Sequence, residues 1–375
     1  MAASVTLPAQ VERAAIAARH GWGPDTAPLP LAALASAQSG LHAARLLTPY
    51  VTAHTRNPAF TADELRAALA PGGTLVKIRC MRRTLHLWPL TQAPDAHTAT
   101  LRLRLGATRA TARRHGLTEA GLKRWGQRAA DALAGGPLPY RDLQDHLAKQ
   151  HPTHADTAAV RLGIKWAWES GHITCCNAAA SLHREDRHYA LLDHAHPGLT
   201  LTGPDARAAT IALLRRYLHA YGPAAEGDLL WWTGLTRAEI TPALAALHSE
   251  LVPVRINGLP DELLAPEEAL ESIRSTSPLP RDHVRLLAFE DPTFKGYFTT
   301  RSRYHDPAHT ARAFNTIGEV RAAITVAGRI AGTWEWDKRT RTVKSALFTS
   351  QSAPISRRIH QHLERAEMFL RTEPC

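Results

Sequence analysis

Residues 40–56, GLHAARLLTPYVTAHTR, and residues 81–90, MRRTLHLWPL, decide how this chain is read. The first stretch ends a longer run, LAALASAQSGLHAARLLTPYVTAHT, whose apolar residues recur at helical spacing. Upstream, VERAAIAARH has the same spacing. Downstream, Thr61 and Glu64 frame the start of TADELRAALA as a capping box, in which each side chain satisfies a backbone N–H of the other. The run PGG at 71–73 stops that helix. TLVKIRC and TLHLWPL then read as two strands around the basic turn Met81, Arg82, Arg83. Helices followed by strand, turn and strand are the sequence form of a winged helix, expected here over residues 1–95 with residues 40–56 helical.

The pattern returns twice. Within 96–200, LTEAGLKRWGQRAADALAG, RDLQDHLAKQ and DTAAVRLGIKWAWESG read as helices, and HITCCNA and RHYALLD as strands around SLHREDR. Within 201–275, DARAATIALLRRYLHAYG, AAEGDLLWWTG and TRAEITPALAALHSE precede the strands LVPVRIN and ELLA. After a Pro/Ser-rich link, the short runs HVRLLAFED, GYFTTRSRY, EVRAAITVAGRIAGTWEWD and RTVKSALFTS predict a small antiparallel sheet or barrel over 276–375. Its hairpin turn is placed at 326–329. A closing amphipathic helix is expected to put Ile355, Ile359, Leu363, Met368 and Phe369 on one face. The expected fold is α+β, mainly α: three tandem winged-helix modules followed by a small C-terminal β-barrel.

A chain of 375 residues exceeds one ordinary core, which suits this modular reading. No stretch approaches the roughly 20 unbroken apolar residues needed to span a bilayer. Glu12 and Arg13 interrupt the N-terminus before an apolar run develops, so no secretory signal is expected, and the protein is placed in the cytoplasm, associated with the nucleoid. The formal net charge of +11 favours a polyanionic partner whose binding weakens with salt. An arginine-rich composition without such a partner would give the same number. Cys80, Cys175, Cys176 and Cys375 lack the spacing of a zinc site, and the histidines of HPTH (151–154) and HQH (360–362) lack a ligand set. Neither a metal nor a cofactor is expected.

Aligned without a gap, residues 40–56 resemble GLQAQDPRAAxLALWAR, and the TLHL of 84–87 falls within RGTLHLV. These are two signatures of the AlkZ/YcaQ-like family of winged-helix DNA glycosylases. YGPAAEGDLLWWTGLT at 221–236 resembles FGPATVxDLAxWSGLT, LLAFEDPTFKGYFTTRSRYHDP at 286–307 resembles LLPxFDxLLLGYxDRSRLxDP, and VAGRIAGTWEW at 326–336 resembles VDGRVVGTW. The resemblance implies modules curved around a DNA groove and hydrolysis of the bond between deoxyribose and an alkylated purine. A purine alkylated at N7 is already a good leaving group, so groups that position water and stabilise the sugar suffice.

His42 and Ala44 fall where the family carries its two catalytic glutamines, and Arg45 where aspartate is usual. His42 is thus the expected catalytic residue, able to hydrogen-bond water. Arg45 is read as binding a flanking phosphate or lying on the surface. Arg82 matches the family arginine, Arg83 replaces its glycine, and Arg79 joins them as a phosphate grip; a solvated basic turn is the other reading. His86 either braces the first wing or touches DNA. Tyr297 approaches the duplex or fills the barrel core, and Arg301 is a further DNA contact, although Thr300 replaces the family aspartate. Glu290 and Asp291 are secondary carboxylate candidates. Trp231, Trp232 and Trp334 are read as core anchors. With no lysine in the expected centre, a monofunctional glycosylase follows. The expected partner is duplex DNA carrying alkylated or bulky purine adducts, met by a monomer. Excision of bulky N7-guanine adducts, in self-resistance to a genotoxic natural product, is the leading reading. A catalytically inactive lesion-binding protein and a winged-helix transcriptional regulator are the alternatives.

Overall fold

The computed structural model describes residues 5–150, 157–203, 205–259 and 262–373; HPTH and Cys375 lie outside them. Strand β1 (Val5–Leu7) leads into helix Ala9–Arg19. In the first unit, helices Leu31–Ala37, Leu47–His54 and Ala62–Leu69 accompany β2 (Leu41–His42), β3 (Leu75–Arg79) and β4 (Leu85–Pro89), a sheet ordered β2-β4-β3. The capping box is formed, with Thr61 N donating to Glu64 Oε1 at 2.8 Å.

The expected helix through residues 40–56 is broken. Ser39 and Gly40 both take left-handed backbone conformations, with φ of 48° and 92°, and a helix cannot continue through them. Gly40 is required for a second reason: a Cβ there would lie 2.7 Å from the Trp88 ring. The chain leaves this turn extended and pairs with β4, setting Leu41 opposite Leu87 and His42 opposite His86. His42 therefore sits on a strand, and its side chain goes where the pleat sends it.

The second unit runs from helix Ala93–Arg114 through Glu119–Ala132, β5 (Leu138–Pro139), Tyr140–Gln150 and Thr157–Glu169 to β6 (Ile173–Asn177) and β7 (Arg187–Leu191). Trp125, Leu143, Leu147, Ile164 and Tyr189 give it a core of its own. The third unit contains helices Ala206–Tyr221, Glu226–Thr233 and Arg237–Ala246 and strands β8 (Leu251–Ile256) and β9 (Leu263–Pro266). β1 completes that sheet, running parallel to β8. The start of the chain thus extends the third sheet and not the first.

Strands β10 (Val284–Leu287), β11 (Ala323–Val326), β12 (Arg329–Asp337) and β13 (Thr342–Leu347) form an antiparallel sheet in that order. The turn between β11 and β12 places Ala327 and Gly328 at φ of 47° and 78°, the left-handed pair that a tight hairpin needs. Among the described residues no barrel forms: β10 and β13 remain edges, because four strands are too few to close around a packed interior. Helix Ala353–Arg371 joins the same core instead, contributing Ile359, Ala366 and Phe369, while Met368 points away at 62% exposure. GYFTTRSRY forms no strand, since the Asp228 carboxylate accepts the backbone N–H groups of Phe298, Thr299 and Thr300 at 2.7–3.2 Å.

Two buried ion pairs tie the beginning of the chain to this region. Arg56 grips Asp291 at 2.8 and 2.9 Å, and Arg303 meets Glu12. No helix among the described residues is long and apolar enough to cross a membrane.

Candidate active site

β2 delivers His42 into a buried polar cluster. Its ring is 2% exposed and meets that of His86 edge-on, with centroids 5.4 Å apart. His86 is held from behind by Thr84 O at 3.4 Å and Cys80 Sγ at 3.5 Å. Lys295 ends the short helix Pro292–Lys295, and its Nζ contacts Glu290 Oε2. Glu290 is fixed by exchange with Val320: Oε1 accepts from Val320 N at 2.9 Å, and Glu290 N donates to Val320 O at 3.0 Å. Lys295 and Glu290 are 7% and 3% exposed. Neither ring nitrogen of His42 has a hydrogen-bond partner among the described residues. Such a group usually costs about 1–3 kcal/mol.

Burial first, then the charges of Lys295, His86, Arg82 and Arg45, hold the His42 pKa well below its ordinary value. Burial and Lys295 likewise push His86 down to about 3. Both rings are neutral near pH 7. A ring so weakly basic can orient water by hydrogen bonding but is poorly matched to general-base work.

The expected DNA contacts separate into three groups. Arg45, with its side chain 65% exposed, lies over Phe289 and 3.9 Å from Glu319, a surface pair of little strength. Arg82 and Arg83 are consecutive left-handed residues, with φ of 51° and 61°. Arg83 is exposed, while the Arg82 guanidinium lies 3.6 Å from the centre of the Trp231 ring. Trp231 in turn stacks on the exposed Phe298, so it is a half-buried platform and not the core anchor expected; Trp232 and Trp334 are buried. Arg301, also half-buried, covers Phe298 and Phe314.

Three expected contacts lie elsewhere. Arg79 is turned inward, its Nε 3.3 Å from buried Glu169 and its Nη2 donating to Arg83 O. His86 is 3% exposed and braces the site from within, as the antiparallel register dictates. Tyr297 is 2% exposed and donates to Tyr221 O at 2.6 Å, in a core that the helices of the third unit share with Leu287, Ala323 and Ile330 of the terminal sheet. Of the carboxylate candidates, Asp291 is committed to Arg56, leaving Glu290 in the cluster.

The family model described as DNA glycosylase AlkZ-like matches residues 35–369. The chain belongs to the AlkZ-like DNA glycosylase family. The structure of Streptomyces sahachiroi DNA glycosylase AlkZ is similar to this AlkZ-like protein with a TM-score of 0.79 at 18% identity, covering 97% of this chain and 98% of that one. At that identity the likeness speaks for the fold. No curated protein sequence matches.

Sequence reasoning about this AlkZ-like chain missed Lys295. The signal was present: Lys295 precedes Gly296 and Tyr297, where the resembling pattern carries leucine, and an ammonium in an apolar slot needs a partner. Ala44 and Arg45 are exposed beside His42, and Arg45 also borders a cleft of about 660 Å³ lined further by Phe289, Arg321, Trp334 and Trp336.

Proposed function

We propose that this AlkZ-like protein is a DNA glycosylase that releases bulky alkylated purines, N7-guanine adducts above all, from duplex DNA, hydrolysis of the base being the monofunctional activity expected from the sequence. A role in self-resistance to a genotoxic natural product accords with that substrate. On this reading the three helix-and-sheet units act as winged-helix modules around the duplex, and Arg45, Arg82, Arg83 and Arg301 face its phosphates.

The observation that carries the reading is His42, a buried neutral imidazole whose two nitrogens have no hydrogen-bond partner among the described residues and on which the charges of Arg82 and Arg45 bear. The adduct leaves as a neutral base from a cationic one, so no strong acid is needed. His42 holds the attacking water by hydrogen bonding, and Glu290 supplies negative charge as the sugar approaches an oxocarbenium ion. The cleft beside Arg45, walled by Phe289 and Trp336, offers room for the flat, apolar part of a large adduct.

The test is mass spectrometry of bases released from duplexes bearing a panel of N7-guanine adducts. Release of the modified base with an abasic site left behind supports the reading; intact DNA across the panel sinks it. A second reading, lesion binding without chemistry, is favoured by Ala44 at the second glutamine position and by the 2% exposure of His42. Tight, lesion-selective binding without base release would establish it.

A further inference from the structure

Lys295 has a place in the site that base hydrolysis leaves unused. It is a buried primary amine, and its one hydrogen-bond partner among the described residues is Glu290. Glu290 follows Phe289, whose carbonyl accepts from Thr48 Oγ1 at 2.9 Å and whose ring lies under Arg45, so the pair sits against the segment that carries His42, and the lysine charge bears on both His42 and His86. A buried lysine–glutamate pair brings little net stability over apolar packing. Lysine, unlike arginine, shifts its protonation readily when buried and forms imines with carbonyl carbons.

We infer that Lys295 is the nucleophile of a second activity, an abasic-site lyase, in which its amine forms an imine with C1′ of the ring-opened deoxyribose. This rests on the reading that the cluster receives a damaged nucleotide. Glu290 first takes a proton from the Lys295 ammonium across their contact, leaving a neutral amine and a carboxylic acid. Nζ bonds to the C1′ aldehyde carbon, the oxygen collects protons from Nζ and Glu290, and water departs to leave an iminium. The Glu290 carboxylate then removes a C2′ proton; the electrons move toward the iminium and expel the 3′ phosphate as the C3′–O bond breaks. Water hydrolyses the imine, freeing Lys295 and an unsaturated 3′ aldehyde end. Burial already pulls the Lys295 pKa below its ordinary value despite Glu290, which favours the neutral amine.

The experiment uses the full chain and a duplex with one preformed abasic site, made by excising uracil, with sodium cyanoborohydride present. A covalent protein–DNA adduct is expected, with peptide mapping placing it on Lys295. Lys295→Arg keeps the charge opposite Glu290 and cannot form the imine, so the adduct should be lost while the thermal transition is kept. No adduct from the wild-type chain, or an adduct mapped to another amine, overturns the proposal. The wild-type mapping decides even if the variant misfolds. Because the substrate has no base to release, failure here leaves the glycosylase reading standing, and trapping without adduct excision would separate the two the other way.

Discussion

Replacing His42 with leucine separates what the imidazole does for chemistry from what it does for stability. The ring's nitrogens are buried without partners among the described residues, so an apolar side chain of similar size should raise stability by about 1 kcal/mol in thermal melts. Release of the modified base should fall about 10²-fold or more, while lesion binding stays near wild type. A large drop in stability would make the ring a packing residue, and equal losses in binding and release would give it a positioning role. The sequence singled out His42 on an expected helix, and the structure sets it on a strand. Its alignment with a glutamine was legible; its burial against His86 was not, because that depends on β4, more than forty residues downstream, pairing with β2.

At the scale of the element, the turn between β3 and β4 is under backbone strain. Arg83 holds a left-handed conformation that costs an L-residue about 1 kcal/mol relative to glycine. Arg83→Gly should therefore stabilise the fold by roughly that amount and yet weaken DNA binding, lowering the slope of log K against log salt by about 1. A titration series over salt and a melting curve read the two effects; an unchanged slope would exclude a phosphate contact. Gly234 backs the same turn, since a Cβ there would lie 3.1 Å from the Arg82 backbone. The β2 element is as sensitive. Gly40→Ala should cost at least about 2 kcal/mol, from a left-handed φ and a clash with Trp88, and should reduce base release by displacing His42. A melt within experimental error of wild type would refute it. The helix–strand punctuation around these turns was readable, as the capping box at Thr61 and Glu64 demonstrates. The break at Ser39 and Gly40 was not, since the apolar spacing runs through it without interruption.

Across the whole molecule, buried neutral histidines make the fold acid-sensitive. His20 and His86 are fully enclosed and have pKa values near 3, against an ordinary value of 6.5. Each takes up its proton more readily in the unfolded chain, so stability is full above pH 6.5 and declines as pH falls from there toward 3. Between pH 6.5 and 5 each ring should remove about 2 kcal/mol. Denaturant melts at stepped pH measure this, and a flat profile over that interval would contradict the burial. The ion pair of Arg56 and Asp291 is the other long-range device, joining the closing residue of the first signature to the segment that follows β10. Arg56→Met should cost about 3–5 kcal/mol by leaving Asp291 buried without its partner, visible as a lower midpoint in urea.

What the sequence by itself determined are the features whose free energy is local: helical spacing, the capping box, the strand pairs, the hairpin turn, and the order of family signatures along the chain. Those depend on residues a few positions apart. What only the tertiary structure decided is which side chains share a water-poor interior. Glu12 meets Arg303, Arg56 meets Asp291, and Asp228 gathers the backbone of residues 298–300, so distant signatures turn out to be mutual supports. By the same packing Lys295 is carried to His42, and the terminal sheet stays open beneath a helix. Desolvation and charge act through space, and no local pattern reports which groups will face each other there.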